Sequence, residues 1–125
     1  MDEKGLIKYE KHYSEPKLWT KISKFARKAG IKTVYYALLL FYALSDPAVP
    51  KKYRMVIIGA LGYFICPVDL LPDFFPGGIA DDYGVLAAAV LYVISHITPE
   101  IKEKAQKKLS GWFPSWTADE LGDMA

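Results

Sequence analysis

The chain begins with one amphipathic segment and continues with segments in which almost every position is apolar. In the first segment, apolar residues recur at the spacing of one helix face, at Leu18, Ile22, Phe25, Ala26 and Ala29. Ser14 precedes them and Gly30 follows them, as is typical of a helix N-cap and of a helix end. The pattern therefore predicts an amphipathic helix between Ser14 and Gly30.

The centre of the chain is apolar on nearly every helix face. Of the 65 residues from 33 to 97, 43 are hydrophobic. Prolines exclude one continuous helix over residues 67–80, so we predict separate helices over 33–45, about 51–66 and about 82–97. A last helix begins at Thr98, because Pro99 and Glu100 follow as in a helix first turn. The predicted fold is all-α, with about five helices and a central apolar hairpin joined by a turn rich in Pro and Asp.

Charge divides the chain into three parts. Residues 1–32 carry nine Lys or Arg and four Asp or Glu, whereas no Lys or Arg lies between Met55 and Thr98. We predict a basic amphipathic N-terminal arm over residues 1–32, a helical core over 33–98, and an amphipathic C-terminal helix with an acidic tail over 99–125.

Composition excludes several classes of protein. At 125 residues and 52% hydrophobic content, the chain is one domain's length and too apolar to be disordered throughout. A net charge of +2 argues against a nucleic-acid binder that relies on general basicity, and one cysteine excludes an internal disulfide. The polar start is unlike a secretory signal, so we expect a protein that is not secreted.

The length and the number of the apolar segments indicate whether the chain contacts a membrane. The longest stretch without a charged residue, Tyr83–Pro99, has 17 residues, whereas a helical span needs about 20. Three successive helices that are apolar all round exceed what a five-helix monomer is expected to enclose. The sequence therefore favours a lipid-facing surface or a homo-oligomer interface over a soluble monomeric bundle, which stays as the alternative.

Basic residues flank the predicted hairpin at its open end. Lys51, Lys52 and Arg54 precede its first helix, and four lysines follow its second, as the positive-inside rule places them on the cytoplasmic side of a membrane. The amphipathic helix adds a basic set expected to lie on anionic lipid, namely Lys17, Lys21, Lys24, Arg27 and Lys28. We predict a membrane location with basic termini on the cytoplasmic side, membrane lipids as partners, and no nucleic-acid partner.

The predicted turn contains the residues most suited to chemistry. Four carboxylates lie within 14 residues in apolar surroundings, at Asp69, Asp73, Asp81 and Asp82. Carboxylates brought together in such surroundings need a proton, water or a cation, and Mg²⁺, Mn²⁺ or Ca²⁺ prefers oxygen ligands. One interpretation is a divalent-metal site in a soluble domain, with hydrolase activity as one option. In the other, the aspartates cap helix starts after Pro67 and Pro72.

The order and spacing of prolines and aspartates resemble a known family. The matching pattern is Tyr63-x-x-x-Pro67-x-Asp69-Leu70-x-Pro72-Asp73 followed by Asp81-Asp82, with a lead-in from Ala43 to Pro50. It is similar to the signature of the YkvA-like family, domain of unknown function 1232, over about residues 33–97. The resemblance implies a small, helical, membrane-associated protein and emphasises the matching prolines and aspartates. It supplies no reaction, so whether the protein is an enzyme stays open, and the sequence leans against it.

Overall fold

A computed structural model describes residues 10–65 and 82–125 as helices with short connections. The helices are α1 Glu15–Ala29, α2 Ile31–Ser45, α3 Lys51–Ile65, α4 Asp82–Tyr92, α5 Pro99–Leu109 and the short α6 Ala118–Leu121. Single 3₁₀ turns occupy Glu10–His12, Ile94–His96 and Gly122–Met124. The described residues contain no strand, which confirms the predicted all-α fold.

Side-chain caps fix the starts of three helices. The backbone N–H of Lys17 donates to Ser14 Oγ at 3.3 Å, and that of Ile101 donates to Thr98 Oγ1 at 3.2 Å. At α6, the Thr117 N–H donates to Glu120 Oε1 at 3.0 Å. Each cap gives a hydrogen-bond acceptor to a backbone N–H at a helix start that has no partner within the helix. The two caps predicted from the sequence, Ser14 and Thr98, are therefore confirmed.

Helix α2 lies at the centre of the molecule. It contacts α1, α3, α4, α5 and α6. Every residue from Thr33 to Phe41 is buried, together with Ala43. A helix that is apolar on all faces requires such surroundings in water, and the five neighbouring helices provide them.

The predicted excess of apolar surface is largely buried within the described part of the chain. Helix α3 is covered by α1, α2, α4 and the Glu10–His12 turn, and its buried residues run from Val56 to Phe64 with Ile58 half-buried. The N-terminal turn and α6 supply cover in addition to the five predicted helices. Exposed large apolar side chains in the described residues are Phe25, Tyr83, Leu91 and Ile94.

Helices α3 and α4 pack against each other in opposite directions. Tyr53 in the first turn of α3 lies 5.4 Å, between ring centroids, from Tyr92 at the end of α4. The same ring lies 4.6 Å from the ring of His96. The lysines that begin α3 therefore lie at the end of the hairpin where α4 finishes. Across residues 10–65 and 82–125, none of the helices combines the length and apolarity needed to traverse a bilayer.

Helix α4 ends earlier than the sequence pattern predicts. It stops at Tyr92, and the chain then forms the Ile94–His96 turn rather than continuing to Ile97. Ile97 is extended, with φ −86° and ψ 100°, as is Thr98, with φ −88° and ψ 163°. A residue before proline avoids the helical region, so Pro99 keeps Thr98 extended and out of the helix. Hydrophobicity alone does not reveal where that exit begins.

One glycine makes the sharp corner between α1 and α2. Gly30 has φ 92° and ψ 155°, a conformation that is essentially restricted to glycine. Its N–H donates to the carbonyl of Ala26, which ends α1, and its own carbonyl accepts from the N–H of Val34 in α2. The corner thus sets the angle at which α1 reaches the core.

We expect Gly30→Ala to lower the free energy of unfolding by about 1–3 kcal/mol through backbone strain. A Cβ at Gly30 meets nothing within 4 Å, so a steric clash contributes little. Urea denaturation measures the loss. Ser23→Ala, at an exposed position of α1, is the control and stays within about 0.5 kcal/mol of the parent. Equal stability of the Gly30→Ala protein and the parent would contradict the prediction.

Candidate docking surface and the position of the acidic motif

Helix α1 carries a stripe of lysines along one face. Lys17, Lys21, Lys24 and Lys28 are spaced so that they fall within an arc of about 60° around the helix axis. We call these four residues the lysine stripe. The buried face, formed by Leu18, Ile22 and Ala26, is centred about 130° away around the axis. Packing of that face against the core therefore turns the stripe outward.

The stripe lacks compensating negative charge within α1. Glu15 is the single acidic residue of the helix, and its Oε2 accepts a hydrogen bond from Trp19 Nε1 at 3.1 Å. In the part of the chain that the structure describes, the one ion pair joins Lys107 to Glu103 at 3.9 Å. Lys17, Lys24 and Lys28 are exposed and Lys21 is half-buried. The stripe is thus a concentrated positive surface.

An aromatic ring borders the stripe. The Phe25 side chain is 41% exposed, although its position around the helix axis is next to the buried face. Lys21 Nζ lies 5.1 Å from the centroid of the Phe25 ring and 5.4 Å from that of Phe64 in α3. Phe25 belongs to the predicted apolar face of α1, but α3 covers only part of that side and leaves the ring partly exposed. The result is an exposed phenyl ring beside a row of ammonium groups.

On another side of α1, Trp19 packs against two aromatic rings from other parts of the chain. The Trp19 ring stacks on that of Trp112 with centroids 6.2 Å apart, and it meets Phe41 of α2 edge-on at 4.8 Å. Lys108 Nζ lies 4.9 Å from the Trp19 centroid and 5.7 Å from that of Trp112. These contacts join α1 to the segment that follows α5. Sequence reasoning had missed Trp19, whose partners are distant in the chain and leave no local pattern.

Four of the five basic residues singled out from sequence thus share one face, whereas Arg27 lies about 90° away from the centre of the stripe around the helix axis. Of the acidic motif, Pro67, Asp69, Pro72, Asp73 and Asp81 lie outside the described residues. Asp82 is the first residue of α4, and its side chain is likewise outside the description. Among residues 10–65 and 82–125, no three His, Cys, Asp or Glu side chains form a group that could hold a metal ion. Binding of Mg²⁺, Mn²⁺ or Ca²⁺ by the four aspartates stays a prediction.

The segment that contains this motif is similar to a known family. Residues 54–88, from the first turn of α3 to the middle of α4, match the family model described as protein of unknown function (DUF1232). We call these residues the DUF1232 segment. The resemblance inferred from the prolines and aspartates is confirmed over that range. No curated protein and no solved structure matches the chain.

A tyrosine pair joins the DUF1232 segment to the central helix. The rings of Tyr36 in α2 and Tyr83 in α4 stack with centroids 5.5 Å apart, and Lys32 Nζ lies 5.8 Å from the Tyr83 centroid. Burial, and after it the neighbouring Tyr83 hydroxyl and the Asp123 carboxylate, raise the pKa of Tyr36 to about 12. The pair is a structural contact that no local sequence signal indicates.

We expect Tyr36 to make stability fall at alkaline pH. Because its folded-state pKa is about 12 against an ordinary 10.0, its contribution is fully present below pH 10 and is lost as pH rises toward 12. Within that window, each pH unit lowers the free energy of unfolding by about 1.4 kcal/mol. Urea denaturation of the parent and of Tyr36→Phe checks this. The variant should lose less stability over the window, and parallel curves would show that Tyr36 does not titrate as proposed.

Proposed function

We propose that the protein docks on the anionic cytoplasmic face of a membrane through the lysine stripe and Phe25. The observation that carries this proposal is the alignment of four lysines on one outward face with an exposed phenyl ring beside them. Anionic lipid headgroups attract such a face with about 1 kcal/mol for each lysine near the surface. An aromatic ring at the same level inserts between headgroups and adds apolar burial.

The architecture supports docking by a preformed helix. Many amphipathic helices must fold when they reach a membrane, and the ordering lowers their affinity. Here α1 is capped by Ser14 and held on the core through Leu18, Ile22 and Trp19. The lysines are therefore already aligned before contact. The partners proposed are membrane lipids, and homo-oligomer formation stays a prediction.

Charge reversal of the stripe tests the proposal. We expect the triple variant Lys17→Glu, Lys24→Glu and Lys28→Glu to bind anionic vesicles more weakly by at least about 100-fold, since loss of three favourable contacts accounts for that factor and repulsion adds to it. Co-sedimentation with vesicles of phosphatidylcholine and phosphatidylglycerol measures binding, and rising salt should weaken that of the parent. The stripe positions are on the protein surface, so the variant should keep its helical circular dichroism.

A matched variant separates the stripe from overall charge. The triple variant Lys51→Glu, Lys104→Glu and Lys107→Glu makes the same change in net charge at exposed positions outside α1. It should retain most of the vesicle affinity. Equal losses in the two variants would contradict a specific docking face. Binding of a DNA duplex through the stripe without binding of vesicles would also contradict it.

Phe25 gives an independent test. We expect Phe25→Ala to weaken vesicle binding several-fold through lost apolar burial, whereas Phe25→Leu retains most of it. The ring is 41% exposed, so Phe25→Ala should lower the free energy of unfolding by less than the truncation of a fully buried phenylalanine does. Leu91→Ala is the matched control, because Leu91 is 65% exposed at the far end of α4. If Leu91→Ala weakens binding as much as Phe25→Ala does, the contact lies elsewhere on the molecule.

A further inference from the structure

A pocket lies between the end of α1 and the segment that follows α5. Its volume is about 270 Å³. Arg27 of α1 lines it on one side and Glu120 of α6 on another, with three aromatic residues, Trp112, Phe113 and Trp116, between them in the lining. The pocket thus combines a permanent cation, a carboxylate and aromatic walls in a space of small-molecule size.

The two charges of the pocket are not paired with each other. The ion pair found among the described residues is that of Lys107 with Glu103, so Arg27 and Glu120 line one cavity without closing a salt bridge. An unpaired guanidinium binds phosphate through directed, charge-assisted hydrogen bonds. An unpaired carboxylate next to aromatic rings attracts an alkylammonium group. A ligand that carries a phosphate and an alkylammonium group therefore complements both Arg27 and Glu120.

The walls of the pocket are held in place before any ligand arrives. Glu120 Oε1 accepts from the Thr117 N–H at 3.0 Å and from its hydroxyl at 3.2 Å, which leaves Oε2 available. Trp116 Nε1 donates to Ser110 Oγ at 2.9 Å. Such fixed groups lose little conformational entropy on binding. Lys108 already lies over Trp112, so Phe113 and Trp116 are the rings that remain for a ligand cation.

We propose that this pocket binds a phospho-alkylammonium headgroup, with phosphocholine and phosphoethanolamine as the simplest members of the class. The phosphate contacts Arg27, and the ammonium lies among Phe113, Trp116 and Glu120. The group comes either from a free metabolite or from a phospholipid. The pocket uses none of the docking residues, which are the lysine stripe and Phe25, and binding of the free headgroup requires no membrane.

Nuclear magnetic resonance titration with phosphocholine, choline and inorganic phosphate tests the pocket. The indole N–H signals report directly, since the chain has three tryptophans and two of them line the cavity. We expect phosphocholine to shift the Trp112 and Trp116 signals and to bind more tightly than choline or phosphate alone. Binding of phosphate as tight as that of phosphocholine would overturn the proposal.

Two variants, each with a neutral side chain in place of a charged one, should distinguish the phosphate contact from the ammonium contact. Arg27→Gln should weaken phosphocholine and phosphate by about tenfold and leave choline unchanged, as loss of one charge-assisted contact implies. Glu120→Gln keeps a capping side chain for Thr117 and should weaken phosphocholine and choline but not phosphate. Lys51→Gln, the same charge change at an exposed position of α3 outside the pocket and the stripe, should alter none of them. Equal effects of Lys51→Gln and Arg27→Gln would overturn the assignment.

Vesicles distinguish a free ligand from a lipid. The charge-reversed stripe variant, which lacks the docking lysines, is mixed with pure phosphatidylcholine vesicles. Sedimentation that depends on Arg27 and Glu120 assigns the pocket to lipid headgroups, and binding of free phosphocholine alone assigns it to a metabolite. If neither free phosphocholine, free phosphoethanolamine nor these vesicles bind, the proposal is wrong, whatever the outcome for docking through the stripe.

Discussion

Helix α2 has no polar face, and the rest of the fold is arranged to remove it from water. Apolar burial is worth about 25 cal/mol per Å², so an uncovered side of α2 would be strongly unfavourable. Five helices surround it. The buried hydroxyl of Tyr35 donates to the carbonyl of Met124 at 2.6 Å and accepts from Gln106 Nε2 at 3.3 Å. The helices and turn around α2 therefore bury its apolar side chains and also hydrogen-bond its Tyr35 hydroxyl.

This arrangement explains how a basic surface and an apolar core coexist in so short a chain. Helix α1 covers one side of α2 and α3 with a narrow row of residues, Leu18, Ile22 and Ala26. The remainder of its circumference stays free for charge. The same helix supplies Arg27 to the aromatic pocket beside the segment after α5. One element thus stabilises the core and presents both surfaces to which we assign binding.

The sequence contained the local determinants of the fold and few of its long-range contacts. Ser14, Gly30 and Thr98 act through neighbouring backbone, so helix starts and ends near them followed from pattern. The exposure of Phe25 and the early end of α4 at Tyr92 depend on what packs against each residue, which spacing does not encode. For the binding surface, the lysines were predictable from their period. The aromatic pocket was not, because residues far apart in the chain, from Arg27 to Glu120, meet only in the folded protein.

The hydrogen bond between Tyr35 and Met124 joins residues 89 positions apart. During synthesis, α2 therefore leaves the ribosome long before the segment that covers its last side. Contacts of such sequence separation form late and slow the folding of a chain. Until α5 and α6 arrive, the central helix of the protein lacks two of its five neighbours. The nascent chain consequently exposes apolar surface of the kind that promotes aggregation, and the finished fold buries that surface.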